Sequence, residues 1–301
     1  MAGQETRIRR RKSTSVEPRR RSGPSSTIHY PPSIINRSAF NLIELLVVIS
    51  IIALLLAILL PTLSRVRKQA QAVACQSGMH GWAILFAAYQ NDNDGRLPWG
   101  RDETGQIPWP RQMEIHSGLD LRKAMLCPTA SKLQAAGAPR TRGSFLACGT
   151  TFQAWRYELS SGEGGAEGTY LSWNGSYAMN NHLRLSGRIE RVKPSVLPVF
   201  LDSRDCLASF SSAEAGEPPP CEDAPLGLTG NLYDEAAEVA IDRHRGGINA
   251  LFADGAIRKV GIKELWTLAW HKGYNTAGRW TQAGGAKPED WPLWMRGFKD
   301  Y

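Results

Sequence analysis

Three groups of side chains in this 301-residue sequence could do chemistry, and their spacing decides which chemistry is open to them. In "DRHRGGINALFADG", His244 is followed after nine residues by Asp254 and Gly255, with Asp242 two positions before it. A histidine with two carboxylates is raw material for acid–base catalysis or a metal site. One His and two Asp at this spacing match no metal-ligand pattern, whereas Asp-Gly is the dipeptide a tight hairpin turn wants. The stretch is therefore read as structural, with His244 hydrogen-bonding a backbone carbonyl beside it. In "QNDNDGRLPWGR", Asp92, Asp94 and Gly95 fit the third, fifth and sixth positions of a calcium loop. Gln90 and Arg101 fill the first and twelfth, where carboxylates are needed, so the stretch is read as the turn closing a helix. Five cysteines, Cys75, Cys127, Cys148, Cys206 and Cys221, show no C-x-x-C spacing, so neither a zinc nor a thioredoxin-like centre is expected. There is no G-x-S-x-G elbow, P-loop or dinucleotide fingerprint. The expectation is no catalytic residue, no metal and no cofactor, with calcium as the one weakly supported ion.

One further carboxylate is out of place. "AFNLIELLVVISIIALLLAILLP" holds Glu44 inside a run whose only other polar residue between Leu42 and Leu60 is Ser50. A charge near the bilayer centre costs about 2.5–3.5 kcal/mol on insertion scales, less towards the ends. The run holds no Lys or Arg, so a cationic partner must come from outside it. An α-amino group made by cutting the chain before Phe40 would serve.

These residues need elements to hold them. Phe40 to Leu60 is long enough for one membrane core, ~31 Å at ~1.5 Å per residue. Past Pro61 the pattern becomes amphipathic: Leu63, Val66, Ala70, Val73 and Ala74 recur at helical spacing, as do Trp82, Leu85, Phe86 and Tyr89. A kinked helix can continue past a proline, so Phe40 to Tyr89 is read as one spine with a face to bury after Pro61. "SYAMNN", "SVLPVFLDS" and "INALFADGAIRKV" read as strands, the last as a hairpin turning at Asp254-Gly255. "KELWTLAWHKG" reads as a short helix with Leu265, Leu268 and Ala269 inward. Half of the ten tryptophans (Trp266, Trp270, Trp280, Trp291, Trp294) fall near the C-terminus, where burial under a flap is the default and glycan stacking the alternative.

Charge places the chain. Nine basic residues precede Phe40 against Glu5 and Glu17, so +7 of the net +8 lies there. Beside an apolar span such a cluster is topological, held in the cytoplasm, and no nucleic-acid partner is expected. Everything after Pro61 is then exported, where disulfides can form. The odd count leaves at least one cysteine unpaired within the chain; Cys206 and Cys221, flanking "GEPPPC", are the first candidate pair, and a partner for Cys127, either Cys148 or Cys75, stays open.

The run from Ala39 to Pro61 resembles the N-terminal signature of type IV pilins and type II secretion pseudopilins. Counting Phe40 as the first mature residue, Glu44 is the fifth and Pro61 the twenty-second, the family's positions for Glu and a common proline. Ala39 stands where the family carries Gly. "HRGGINALFADG", with "MLCPTAS", "SYAMNN" and "KPSVLPVFLDS", resembles a narrower, planctomycete-type group of prepilin-like proteins marked by His, nine residues, then Asp-Gly. The resemblance implies an α+β, pilin-like fold with a small antiparallel sheet. Its expected parts are a leader (1–39), a membrane half-helix (40–60), an amphipathic half-helix (61–90) and an exported domain (91–301). It implies cleavage between Ala39 and Phe40 by a prepilin peptidase, methylation of the new amine, and pairing of Glu44 with a neighbouring subunit's N-terminus. The implied partners are the peptidase, other pilin or pseudopilin subunits, the lipid bilayer and, indirectly, a platform protein and assembly ATPase. The implied location is the inner membrane, single-pass with the N-terminus cytoplasmic, then a pilus or pseudopilus. A signal-anchored periplasmic or cell-surface hydrolase, or a glycan-binding protein, is the alternative.

Overall fold

Helix α1 (Leu42–Asp92) runs unbroken through Pro61. The computed structural model describes residues 41–98, 109–135, 146–160, 170–186, 192–211, 216–226 and 234–301. The expected leader, Ala39, Phe40 and the 99–101 end of the calcium-like stretch lie outside these. The chain divides into two units, one ending at Leu54 and one spanning Leu55–Tyr301.

The described part of the first unit is the opening of α1. Asn41 caps it: its side-chain oxygen accepts from the Ile43 N–H at 3.2 Å, and the Glu44 carboxylate accepts from the Asn41 N–H at 3.3 Å. This reciprocal arrangement satisfies two of the donors that a helix start leaves open. Further along, Ser50 and Thr62 turn their hydroxyls back onto the carbonyls of Leu46 and Leu59, at 2.7 and 2.8 Å, so neither needs an outside partner. An 18-residue window of α1 has a mean hydropathy of 3.2 and no residue of it is buried within the chain, so by length and composition α1 can cross a membrane.

In the second unit, α1 buries a narrow stripe: Cys75, Met79, Trp82, Phe86 and Tyr89. The steps of four and three keep these side chains on one face. Trp82, Phe86 and Tyr89 were expected there, and Leu85 is partly buried. Leu63, Val66, Ala70, Val73 and Ala74 are instead exposed, so the apolar face read immediately after Pro61 is not the one that packs. The buried face starts about three turns later, where the side chains become large.

Short helix α2 (Trp109–Ser117) precedes a three-stranded antiparallel sheet of β1 (Leu146–Ala147), β2 (Trp155–Ser160) and β3 (Tyr170–Gly175). The chain then builds a five-stranded sheet from β4 (Tyr177–Asn180), β5 (Pro198–Asp202), β6 (Leu207–Ala208), β7 (Gly247–Phe252) and β8 (Ile257–Gly261), in the order β6-β4-β5-β7-β8. Helices α3 (Asn181–Ser186) and α4 (Asp234–Ala237) lie in its connections. The expected strands are β4, β5 and the β7–β8 hairpin. All the pairings but one are antiparallel; the edge strand β6 runs parallel to β4. The architecture is α+β, a long N-terminal apolar helix followed by a small, largely antiparallel sheet.

The five-stranded sheet is buried on both faces, which is why β4, β5 and β7 have no exposed residue. Against one face, Phe200 meets Trp82, Phe86, Trp109 and Tyr177 at ring-centroid distances of 5.2–5.5 Å. The Trp82 indole N–H donates to the Ala124 carbonyl at 2.8 Å, fixing α1 against the loop that follows α2. Against the other face pack Ile248, Ala250 and Phe252 with Trp266, Trp270 and Trp291. Trp270 stacks on Phe210 at 4.6 Å, and a 3-10 turn at Lys263–Thr267 carries Leu265 inward, with Leu268 and Ala269 buried just after it. The C-terminal tryptophans Trp266, Trp270 and Trp291 are thus core residues, as the flap reading expects.

Candidate functional site

The chemistry-bearing residues of the second unit converge where α1, the loop before β1, the end of β5 and the turn before β7 meet. Asp202 closes β5, which pairs with β7; the Asn249 N–H of β7 donates to Asp202 Oδ2 at 2.9 Å. The turn Asp242–Gly247 delivers Arg243 and His244. Arg245 and Gly246 take positive φ of 57° and 90°, the Asp242 carboxylate accepts from the Gly246 N–H, and the His244 N–H donates to the Gly247 carbonyl at 2.9 Å. Glycine is what makes the second left-handed step easy. Cys75 comes from α1, placed by Gln76, whose amide donates to Asn249 Oδ1 at 3.0 Å, and by Asn249, whose amide donates to the Ala72 carbonyl at 3.2 Å. Cys127 starts a turn that Ser176 ties to β4: the Ser176 N–H donates to Met125 O and its hydroxyl to Ala130 O.

Within this convergence His244 Nε2 lies 3.0 Å from Asp202 Oδ2 and 3.5 Å from Cys127 Sγ. Cys75 Sγ lies 3.7 Å from both Asp202 carboxylate oxygens and 3.4 Å from the Tyr177 hydroxyl. The Arg243 side chain is wholly buried, and each of its five N–H groups meets an oxygen: the carbonyls of Thr150, Thr151, Ser176 and Ser203, and Asp202 Oδ1 at 3.2 Å. A buried charge persists only with such compensation.

Burial by itself opposes ionisation of Asp202, but the hydrogen bond and charge of His244, then Arg243 and the Asn249 N–H, outweigh it and hold the carboxyl below its ordinary value. Burial also disfavours a charged His244, and its hydrogen bonds to Asp202 and Cys127 overcome this, raising it to about 9. Burial opposes a Cys127 thiolate too, yet hydrogen bonding from Cys75 and His244 brings that thiol down to about 6. Cys75 moves the opposite way, driven up by burial, by its hydrogen bond to Cys127 and by the Asp202 charge.

The sequence-expected residues fare unequally. His244 is buried, and its partner is a carboxylate rather than the expected backbone carbonyl. Its Nδ1 has no hydrogen-bond partner among the described residues. Asp254 and Gly255 form the expected hairpin turn, Gly255 at φ 83° and Asp254 accepting from the Ala256 N–H at 2.9 Å. His244 precedes β7 and Asp254 follows it, about 20 Å away at ~3.3 Å per residue, so the nine-residue spacing is the length of one strand and its turns. Asp254 therefore does not share a site with His244 and Asp242. The Asp92–Gly95 stretch ends α1, with the Gly95 N–H donating to the Gln90 carbonyl at 2.8 Å. The expected Cys206–Cys221 bridge is not formed: Cys206 is buried and Cys221 exposed. Cys75, Cys127, Asp202 and Arg243 are not grouped by the sequence, because each metal signal it offers is a local spacing and these residues come from four separate segments. Cys127 and Asp202 lie in "MLCPTAS" and "KPSVLPVFLDS", stretches already singled out by resemblance.

A separate cavity of about 330 Å³ near the C-terminus is lined by Glu217, Arg279, Trp280, Asp290 and Trp291 among others. The Trp280 and Trp291 rings sit 5.4 Å apart at 51°, packed on each other, and the Arg279 guanidinium lies over Trp280.

Comparison with known proteins gives one relative of note: a ComG operon protein 3 homolog of Bacillus licheniformis is 27% identical over 99 residues, a third of this chain and 90% of the relative. No family model matches the chain, and no solved structure matches it.

Proposed function

We propose that the chain is a pilin-like subunit, cut after Ala39 and assembled through α1 into a type IV pilus or type II secretion pseudopilus. The observation that carries the reading is Glu44, a carboxylate held at the start of a long apolar helix that can cross a membrane. The likeness to the ComG operon protein 3 homolog supports a place in a pilin-like family and a structural rather than enzymatic role. Among the described residues Glu44 accepts only from the Asn41 N–H, and a carboxylate offers about four lone-pair sites. The rest of its capacity is open to the α-amino group of a neighbouring subunit. That contact would offset burial of the charge and set the axial register between subunits. The lipid bilayer and other subunits cover the apolar half of α1; a prepilin peptidase, platform protein and assembly ATPase act on it. The N-terminus stays cytoplasmic and the second unit is exported. No cofactor is needed for this role.

The test is incorporation. Glu44→Ala should leave the protein expressed and membrane-inserted but absent from sheared surface or pseudopilus fractions, while Glu44→Asp restores part of the signal. Normal incorporation of the Ala variant would falsify the assembly role. Mass spectrometry of the mature protein should find an N-terminal peptide beginning at Phe40 with a methylated amine.

A further inference from the structure

Cys75, Cys127, Asp202 and His244 arrive from four segments far apart in sequence. Their ligand atoms, two Sγ, one carboxylate oxygen and a ring nitrogen, all lie within 4.8 Å of one another. We propose that these four residues are the ligands of a single zinc ion that clamps α1, the 125–130 turn, β5 and the turn before β7 together.

Geometry carries the proposal. Zinc takes thiolate at ~2.3 Å and imidazole or carboxylate at ~2.0–2.2 Å, almost always tetrahedrally in structural sites. The edges of such a tetrahedron are about 3.8 Å between sulfurs, about 3.5 Å from sulfur to nitrogen or oxygen, and about 3.3 Å from nitrogen to oxygen. The corresponding separations here are 3.5 Å for Cys127–His244, 3.7 Å for Cys75–Asp202 and 3.0 Å for His244–Asp202. The donor set selects the ion: thiolates with imidazole suit zinc, whereas calcium and magnesium take oxygen.

Charge and the groups around Asp202 and Cys75 agree. Two thiolates and a carboxylate carry three negative charges, and a divalent ion with the Arg243 guanidinium carries three positive ones. The buried assembly is neutral, which removes the main cost of placing ions in a core. Asp202 is oriented as a ligating carboxylate should be: Arg243 holds Oδ1 at 3.2 Å and the Asn249 N–H approaches Oδ2 at 2.9 Å. The Tyr177 hydroxyl, 3.4 Å from Cys75 Sγ, is positioned to donate to the thiolate. All four ligands are buried, so no position is open for substrate and the role is structural. The clamp is independent of the assembly reading, since Glu44 is no part of it.

The full chain, purified in detergent under anaerobic, thiol-reducing conditions, provides the test. Elemental analysis should find about one zinc per chain. After chelation, titration with Co²⁺ should produce the visible bands of a tetrahedral ion and a thiolate-to-cobalt charge-transfer band, saturating at an equimolar ratio and abolished by added Zn²⁺. Chelation should lower the thermal midpoint and Zn²⁺ should restore it. Cys75→Ser and Cys127→Ser should each diminish the charge-transfer band, while Cys221→Ser, at an exposed position, should not. If the serine variants fail to fold, the wild-type cobalt spectrum decides alone. The proposal is overturned if the reduced wild-type chain gives no tetrahedral cobalt spectrum. It is also overturned if peptide mapping of membrane-derived protein, alkylated before reduction, finds Cys75 joined to Cys127. The Glu44→Ala protein should bind cobalt as wild type does, so the two readings fail separately.

Discussion

Helix α1 passes through two settings that treat polar groups in opposite ways. Around Glu44 the side chains are apolar and exposed, and among the described residues the carboxylate finds one partner, the Asn41 N–H. Around Cys75 one face of the helix is buried, and a dense polar cluster sits in the core with nearly every donor matched, Arg243 most completely. A charge persists in a low-dielectric setting only with partners. Near Cys75 the fold supplies them. Near Glu44 the described residues supply one, and under the proposed function the remainder comes from another subunit.

Substitutions can break this contrast. The largest loss is expected for Arg243→Ala, which removes one cation from beside Asp202 and strands four carbonyls; unfolding free energy of the full chain in detergent, read from urea titration, should fall by about 3–5 kcal/mol. Trp82→Ala should cost about 3–5 kcal/mol by the same measurement, whereas Val73→Ala, on the exposed face of the same helix, should stay within about 0.5 kcal/mol. Gly255→Ala should cost about 1 kcal/mol, because nothing lies within 4 Å of an added Cβ and only the positive φ resists it. Glu44→Ala should shift the unfolding midpoint least while removing incorporation altogether. A large stability loss there would make Glu44 a folding residue and erase the contrast.

How far the sequence could be read follows from where each signal is stored. The spine, β4, β5 and the β7–β8 hairpin are written in local patterns: a long apolar run, short β-rich runs, an Asp-Gly turn. The burial face of α1 after Pro61 differs from the expected one because Leu63, Val66 and Val73 are as apolar as a core face, yet all three are exposed among the described residues. The four-three spacing of Cys75, Met79, Trp82, Phe86 and Tyr89 was the better guide, since large side chains at that period fill a groove. The small sheet of β1–β3 and the parallel β6 edge were not foreseen; β1 and β6 are only two residues long and are specified by their neighbours. His244 was singled out, but its partner was misassigned. Asp202, about forty residues earlier in the chain, is brought to it by the β5–β7 pairing.

The sequence by itself determined the apolar helix, its single carboxylate, the basic cluster before it and the turn at Asp254-Gly255. Each depends on residues within a few positions of one another, where backbone geometry and hydropathy act directly. Only the tertiary structure decided that Cys75, Cys127, Asp202 and His244 share one buried site, and that Cys206 and Cys221 do not pair. Those outcomes depend on distances between residues separated by fifteen to more than a hundred positions. Strand register and helix packing set those distances; spacing along the chain does not.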